Sequence, residues 1–145
     1  MAQVDSILVV DDEDTVRNVL YQVLSDDGHT VEAVASGERA LDIMDKESFA
    51  LVITDIKMPG MDGIQTLREI KSRYPLVEVI LLTGHGTTET AIEGMKLGAF
   101  DYLLKPADFN ELTTILAGAK KKKAEQDERI RKAEARQLLR RGGNI

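Results

Sequence analysis

The stretch ALVITDIKMPGMDG, residues 50–63, passes from a nearly all-apolar run into Asp55 and then into a loop that contains Pro and Gly. A short apolar run of this kind is typical of a strand buried on both faces of a parallel sheet. Ligands of open α/β sheets bind outside the carboxyl ends of such strands. Asp55 lies at that end, and we expect the loop after it to leave the carboxylate exposed.

Three further apolar runs end in polar residues in the same way. These residues are Asp11 and Asp12 after SILVV (6–10), Thr83 after VEVILL (77–82) and Lys105 after DYLL (101–104). The carboxyl ends of parallel strands meet at one edge of a sheet, whatever their separation along the chain. We therefore expect three acids, a hydroxyl and an ammonium to form one site.

Strand and helix patterns alternate through the first 119 residues. The predicted strands cover residues 6–10, 30–34, 50–54, 77–82 and 99–104. The predicted helices cover residues 14–24, 36–46, 63–74 and 87–97, and a fifth begins near Asp108. This alternation predicts five βα units in a doubly wound α/β fold with a parallel five-stranded sheet.

Local patterns add detail to two of these elements. TVEAV (30–34) alternates between apolar and polar residues, which favours a position near an edge of the sheet. In the first helix Val16, Val19, Leu20 and Val23 recur at helical spacing, and we expect them on one buried face. That face should cover the sheet.

Charge is distributed unevenly along the chain, whose formal net charge is −6. Residues 120–141 carry ten basic and four acidic side chains, whereas residues 1–119 carry nine basic and 21 acidic ones. An acidic body repels polyanions and suits cations or basic partner surfaces. We predict one domain over residues 1–119 and a charged helical extension of the last helix over residues 120–145.

The extension has two interpretations. It is either a solvated helix held by mixed-charge pairs, or a dimerising or docking helix that uses Ile130, Ala133, Leu138 and Leu139. Direct DNA binding is not expected, because no helix-turn-helix core is present and too few residues remain to build one.

The remaining composition bounds the compartment. The chain has no Cys, no apolar stretch of membrane-spanning length, and no basic and then apolar start of a secretory signal. We expect a cytoplasmic protein without a membrane partner.

The predicted site has a definite chemistry. Clustered carboxylates need a cation, and acids without a nearby His or Cys favour Mg²⁺ over zinc. Asp55 is the best nucleophile for a phosphoryl group, with Lys105 as the neutralising cation and Thr83 as a hydrogen-bond donor. In isolation each residue could equally be a helix cap, a turn acid or a surface charge, and it is the fourfold placement at strand ends that favours a site.

The same residues resemble a known family, the receiver domains of two-component response regulators, also called CheY-like. The resemblance runs from about Ile7 to Ala119. It rests on the pair Asp11-Asp12 and on the phrases TDIKMPGMDG (54–63), LLTGHG (81–86) and YLLKP (102–106). It implies a flavodoxin-like sheet of strand order 2-1-3-4-5.

The resemblance also implies roles for individual residues. Asp12 would ligate Mg²⁺ directly and Asp11 mainly through water, with Asp55 and the backbone carbonyl of Lys57 completing the protein ligands. Phosphorylated Asp55 would draw Thr83 towards it, and Tyr102 would then turn inward and reshape the face made by the fourth helix, fifth strand and fifth helix. The peptide bond before Pro106 would be cis. Residue 107 is Ala, where many relatives have Phe.

Three classes of function remain. The first is a phosphorylation-dependent switch that receives its phosphoryl group from a sensor histidine kinase or a phosphotransfer protein, acts on a downstream protein effector and catalyses only its own phosphorylation and autodephosphorylation. The second is a phosphorylation-independent interaction module on the same fold, against which the intact Asp12, Asp55, Thr83 and Lys105 argue. The third is an aspartyl-phosphate hydrolase, whose Asp-x-Asp spacing and cap this sequence lacks. We favour the switch, and not an enzyme with an external substrate.

Overall fold

A computed structural model describes residues 6–84, 86–105 and 108–142. The elements alternate strictly between strand and helix. The strands are β1 (Ser6–Val10), β2 (Thr30–Val34), β3 (Leu51–Thr54), β4 (Glu78–Thr83) and β5 (Asp101–Leu104). The helices are α1 (Asp14–Asp26), α2 (Gly37–Met44), α3 (Gly63–Arg73), α4 (Thr88–Lys96) and α5 (Phe109–Gly142). The predicted alternation is confirmed.

The five strands form one parallel sheet in the order β2-β1-β3-β4-β5. Every residue of the central strands β3 and β4 is buried, as their continuous apolar runs require. TVEAV forms the edge strand β2 and leaves Thr30 and Glu32 exposed. The strand order and the edge position of β2 are therefore confirmed.

Alternating strand residues build two cores, one on each face of the sheet. Leu8, Val52 and Leu81 point towards the face covered by α2 and α3. Ile7, Ile53 and Ile80 point towards the opposite face, which α1 and α5 cover with these buried residues: Leu20, Leu24, Leu112, Leu116 and Ala119. The helices thus cover both faces of the sheet and leave its strand ends open at the surface.

The predicted buried face of α1 is only partly buried, with Leu20 buried, Val16 and Val23 half-buried and Val19 exposed. Leu20 and Leu24 lie in the core and Val16 packs against it, but Val19 is 55% exposed. Successive residues of a helix are 100° apart, so Val19 points away from a stripe that is centred on Leu20 and Leu24. The prediction that Val19 shares the buried face is wrong.

Capping side chains define where several helices begin. Ser36 accepts a hydrogen bond from the Arg39 N–H at the start of α2, as its sequence position predicts. At the start of α4, Thr87 and Thr90 form a reciprocal capping box. Gly98, with φ +102°, ends α4 in a conformation that favours glycine.

Helix α5 continues without a break from Phe109 to Gly142. The division of the chain at 119/120 falls inside this helix and stays a prediction. The exposed fractions of Leu138 and Leu139 are 67% and 76%. No helix of the described segments is both long enough and apolar enough to cross a membrane.

Candidate functional site

The polar residues predicted at strand ends lie where the carboxyl ends of the parallel strands meet. Asp11 follows β1 and Asp55 follows β3, and these two strands are neighbours in the sheet. Thr83 ends β4 and is fully buried, and the Lys105 N–H donates to its carbonyl oxygen over 2.8 Å. The sheet therefore brings together residues from four different parts of the chain.

Lys105 links the two buried carboxylates. Its Nζ lies 2.7 Å from Asp11 Oδ2 and 3.0 Å from Asp55 Oδ2. Burial lowers the pKa of Lys105, but its hydrogen bonds to Asp11 and Asp55 outweigh burial and raise that pKa overall. The ammonium therefore stays charged at neutral pH and partly neutralises the acids.

Asp55 is held by the backbone that follows it. Its Oδ1 accepts from the Ile56 N–H at 2.7 Å and from the Lys57 N–H at 3.4 Å. These bonds orient Oδ1 and leave Oδ2 facing the Lys105 ammonium. The carboxylate is thus fixed before any substrate arrives.

The expectation that the Pro/Gly loop exposes Asp55 is wrong, because the residue is only 3% exposed. The loop folds back, and the Gly63 N–H donates to the Ile56 carbonyl over 2.7 Å. A Cβ at Gly63 would overlap the Asp55 carbonyl oxygen, so a glycine is needed where α3 begins. Asp55 still lines a cleft with Asp12, Lys57 and residues 58–59.

Asp11 and Asp12 differ in environment. Asp11 is 2% exposed, and its Oδ1 accepts from the Glu13 N–H at 2.9 Å. Burial raises the pKa of Asp11, although its hydrogen bonds with Lys105 and Glu13 lower it. Asp12 is exposed at the mouth of the cleft. The pair therefore presents one buried and one solvated carboxylate.

The three acids fit a hard divalent cation. One oxygen each from Asp11, Asp12 and Asp55 can be chosen so that all three lie within 4.8 Å of one another. Lys105 is shared between two of these acids and cannot balance three negative charges. An all-oxygen set with an open, solvated side suits Mg²⁺, which keeps several waters.

Tyr102 lies between the site and α4. Its hydroxyl is 3.2 Å from Thr90 Oγ1, which also belongs to the capping box of that helix. The ring covers Gly86, where an added Cβ would overlap the Tyr102 hydroxyl. Tyr102 is therefore partly buried, and its hydroxyl occupies space that any side chain at residue 86 would fill.

Two residues near the site were missed in the sequence. Glu13 Oε1 lies 3.4 Å from Lys105 Nζ, and Arg17 Nη1 donates to the Asp11 carbonyl over 2.7 Å. Glu13 directly follows the Asp11-Asp12 pair in the sequence, and this position could have indicated that it belongs to the site. Arg17 lies on α1, one helical turn after Glu13, and nothing beside it in the sequence indicates a role in the site. The predicted cis peptide at Pro106 lies outside the described residues.

Comparison with known proteins identifies the arrangement. The family model for the response regulator receiver domain matches residues 7–117. An NtrX-like response regulator of Rickettsia bellii is 42% identical over 115 residues, which cover 78% of this chain and 24% of that protein. The response regulator protein FleR of Pseudomonas aeruginosa is 43% identical over 77% of this chain and 24% of its own length. The chain thus spans about a quarter of these curated relatives.

Solved structures agree. A receiver domain protein from Clostridium thermocellum superimposes with a TM-score of 0.81 and is 40% identical, and the match covers 85% of this chain and 99% of that one. NtrX from Brucella abortus, at 33% identity, also gives a TM-score of 0.81, over 87% of this chain and 29% of its own. The fold and the sequence therefore point to the same family.

Proposed function

This chain belongs to the response regulator receiver domain family of two-component systems, and from that premise we propose that it is a phosphorylation-dependent switch with Asp55 as phosphoacceptor. The observation that carries the proposal is the Lys105 ammonium, which lies within 3.0 Å of the buried carboxylates of both Asp11 and Asp55. A structural ion pair needs only one acid, whereas here two buried acids share one cation. The negative charge that is left over suits a divalent cation, which together with Lys105 would receive a phosphoryl group.

In the proposed reaction an Asp55 oxygen attacks the phosphorus of a phosphohistidine. A P–O bond forms as the P–N bond breaks, and the imidazole nitrogen leaves with the electron pair. Lys105 would neutralise charge on the phosphoryl oxygens, and the Thr83 hydroxyl would donate a hydrogen bond to one of them. The protein would catalyse only this transfer to itself and the later hydrolysis of its own acyl phosphate.

Asp11, Asp12, Asp55 and the Lys57 carbonyl would hold Mg²⁺. When bound, the ion supplies charge neutralisation at the phosphoryl oxygens. The exposed Asp12 would bind the ion on the side of the site that faces solvent. The buried Asp11 would hold the Lys105 ammonium through their ion pair.

Mg²⁺ is expected to stabilise the folded protein through Asp12. At a free Mg²⁺ concentration ten times the dissociation constant, the free energy of unfolding should rise by about 1.4 kcal/mol. Urea unfolding with and without Mg²⁺ measures this effect. Asp12→Asn should abolish most of the rise, whereas Asp42→Asn, an exposed acid on α2, should keep it. Equal stabilisation of both variants would exclude Asp12 as a ligand.

Thr83 and Tyr102 would form the switch. Movement of Thr83 towards a phosphoryl group would vacate space for the tyrosine ring. The hydroxyl of Tyr102 would then leave Thr90, which is part of the cap of α4. Such a change would alter the face of α4, β5 and α5, where Ile92, Met95 and Leu104 are about half exposed. A new dianion would thereby bias a two-state equilibrium.

Gly86→Ala is expected to shift this equilibrium without phosphorylation, because the added methyl would displace the Tyr102 hydroxyl from Thr90. The aromatic resonances of Tyr102 should move towards the positions they take in the phosphorylated protein. Gly84→Ala is the matched control, since its Cβ would meet only Lys105 side-chain atoms at 3.9 Å. Unchanged Tyr102 resonances in Gly86→Ala would refute the coupling.

The partners follow from the proposed reaction. A sensor histidine kinase or a phosphotransfer protein would supply the phosphoryl group, and a downstream protein effector would bind the reshaped face. A homodimer through the exposed part of α5 is a further proposal. Phosphorylation of Asp55, the step on which the phosphoryl donor and the effector depend, is tested by the first experiment of the Discussion.

A further inference from the structure

A carboxylate is buried at the end of the sheet opposite to Asp55. Glu78 is the first residue of β4 and is 0% exposed. No well-directed hydrogen bond reaches either of its side-chain oxygens within the described residues. A buried carboxylate without compensation costs several kcal/mol, so its neighbours must supply positive charge.

Two lysines supply that charge, from different helices. Lys122 of α5 places its Nζ 3.3 Å from Glu78 Oε2. Lys71 of α3 donates from Nζ to the carbonyls of Pro75 and Val77, and burial lowers the pKa of Lys71 while the Glu78 charge opposes that effect. Lys71 is thus committed to the backbone, and Lys122 makes the ion pair.

Beyond residue 117, α5 packs against the Phe100 ring on its way to this contact. Gly118 lies against the Phe100 ring, where an added Cβ would approach the ring to 3.2 Å. One turn later the Lys122 ammonium passes over the same ring, 5.8 Å from its centroid. The helix therefore rests on Phe100 while Lys122 reaches Glu78.

The lysine run 120–123 has the charge of a surface that binds polyanions, but two of its lysines form ion pairs within this chain. Lys122 pairs with Glu78, and Lys123 pairs with Asp127 at 3.0 Å. Beyond Asp127 every described side chain of α5 is exposed. In the part of the chain that the structure describes, the last ion pair between α5 and the rest of the domain is thus that of Lys122, and side chains of α5 are partly covered as far as residue 127, eight residues beyond the predicted domain boundary.

We propose that the Glu78–Lys122 pair is a clamp that fixes the direction in which α5 leaves the domain, so that residues 128–141 form a rigid arm. The clamp and the switch residue Thr83 lie at opposite ends of the same strand, β4. This proposal requires no phosphorylation and is independent of the proposed function.

Spin-label distances test the clamp directly, because the chain has no native cysteine. Labels at Asp42→Cys on α2 and Arg136→Cys on the arm are both at exposed positions. In the otherwise unaltered full chain we expect a narrow distance distribution. Lys122→Met should at least double its width, whereas Lys121→Met, the exposed neighbour, should leave it unchanged.

Further measurements separate the clamp from general loss of structure. Lys122 is 44% exposed, and circular dichroism should give the same helix content for both methionine variants. Lys122→Arg keeps the positive charge and should keep the narrow distribution. Equal widths in Lys122→Met and Lys121→Met, a broad distribution in Lys122→Arg, or a broad one in the unaltered chain would each overturn the clamp.

Discussion

Asp55→Asn is expected to abolish phosphorylation completely. After incubation with acetyl phosphate and Mg²⁺, intact-mass analysis of the unaltered protein should show one labile phosphoryl adduct. The asparagine keeps the size of the side chain and can accept from the Ile56 and Lys57 N–H groups, so the fold should persist. It lacks the anionic oxygen that we propose attacks phosphorus, so no acyl phosphate should form.

Asp42→Asn is the control for this experiment, because Asp42 is an exposed acid on α2, away from the cleft. It should acquire the adduct at the rate of the unaltered protein. An adduct that survives Asp55→Asn would mean that another residue is the acceptor. Absence of any adduct in the unaltered protein, under conditions that label a known receiver, would favour a phosphorylation-independent interaction module.

Lys105→Met is expected to lower the free energy of unfolding by about 3 kcal/mol at pH 7 without Mg²⁺. The substitution removes the cation from between Asp11 and Asp55, which are 2% and 3% exposed and would repel each other. Urea unfolding in the presence of a chelator measures the loss. Lys57→Met is the control, because Lys57 is exposed at the rim of the same cleft. It should change stability little.

The effect of Lys105→Met should depend on pH in one direction. Burial already raises the pKa of Asp11 above its ordinary value of 3.8, and loss of the ammonium should raise it further. A raised carboxyl pKa means that the folded state binds a proton more readily than the unfolded chain, so stability rises as the pH falls through the raised pKa towards the ordinary value of 3.8. The difference in stability between variant and unaltered protein should therefore be largest above the Asp11 pKa of the variant, and it should shrink as the pH falls through that pKa.

Saturating Mg²⁺ offers a second readout on Lys105→Met. If the ammonium mainly balances the acids, the ion should restore part of the lost stability, since we propose that it binds the same carboxylates. Phosphorylation of Asp55 should nevertheless stay slower than in the unaltered protein, because in the proposed reaction Lys105 also neutralises the incoming phosphoryl oxygens. Equal stability of Lys105→Met and Lys57→Met would show that the ion pairs contribute little.

Much of the fold was predictable because its signals are local. The apolar run before Asp55 indicates a buried strand by itself, and Ser36 marks the start of α2 by its own hydrogen bond. The grouping of Asp11, Asp55, Thr83 and Lys105 also followed, since a parallel sheet brings all carboxyl ends to one edge. Periodicity within ten residues, together with one topological rule, was enough for these features.

Other features depend on contacts between residues that are distant in the chain. The burial of Asp55 requires the loop to fold back onto Gly63, and the ion pair of Glu13 requires Lys105, which comes 92 residues later. Glu78 in the sequence is one polar residue beside an apolar run, and nothing near it reveals that Lys122 will cover it.

The sequence alone was thus sufficient for the elements, the parallel sheet and the meeting of Asp11, Asp55 and Lys105 at the carboxyl ends of its strands. Hydrophobic spacing, caps and strand ends are signals that act over short distances. Tertiary structure alone decided which carboxylates are buried, which cation faces them and how far the body holds α5. These are properties of charge and solvent exclusion in three dimensions, and they arise only when separate elements pack together.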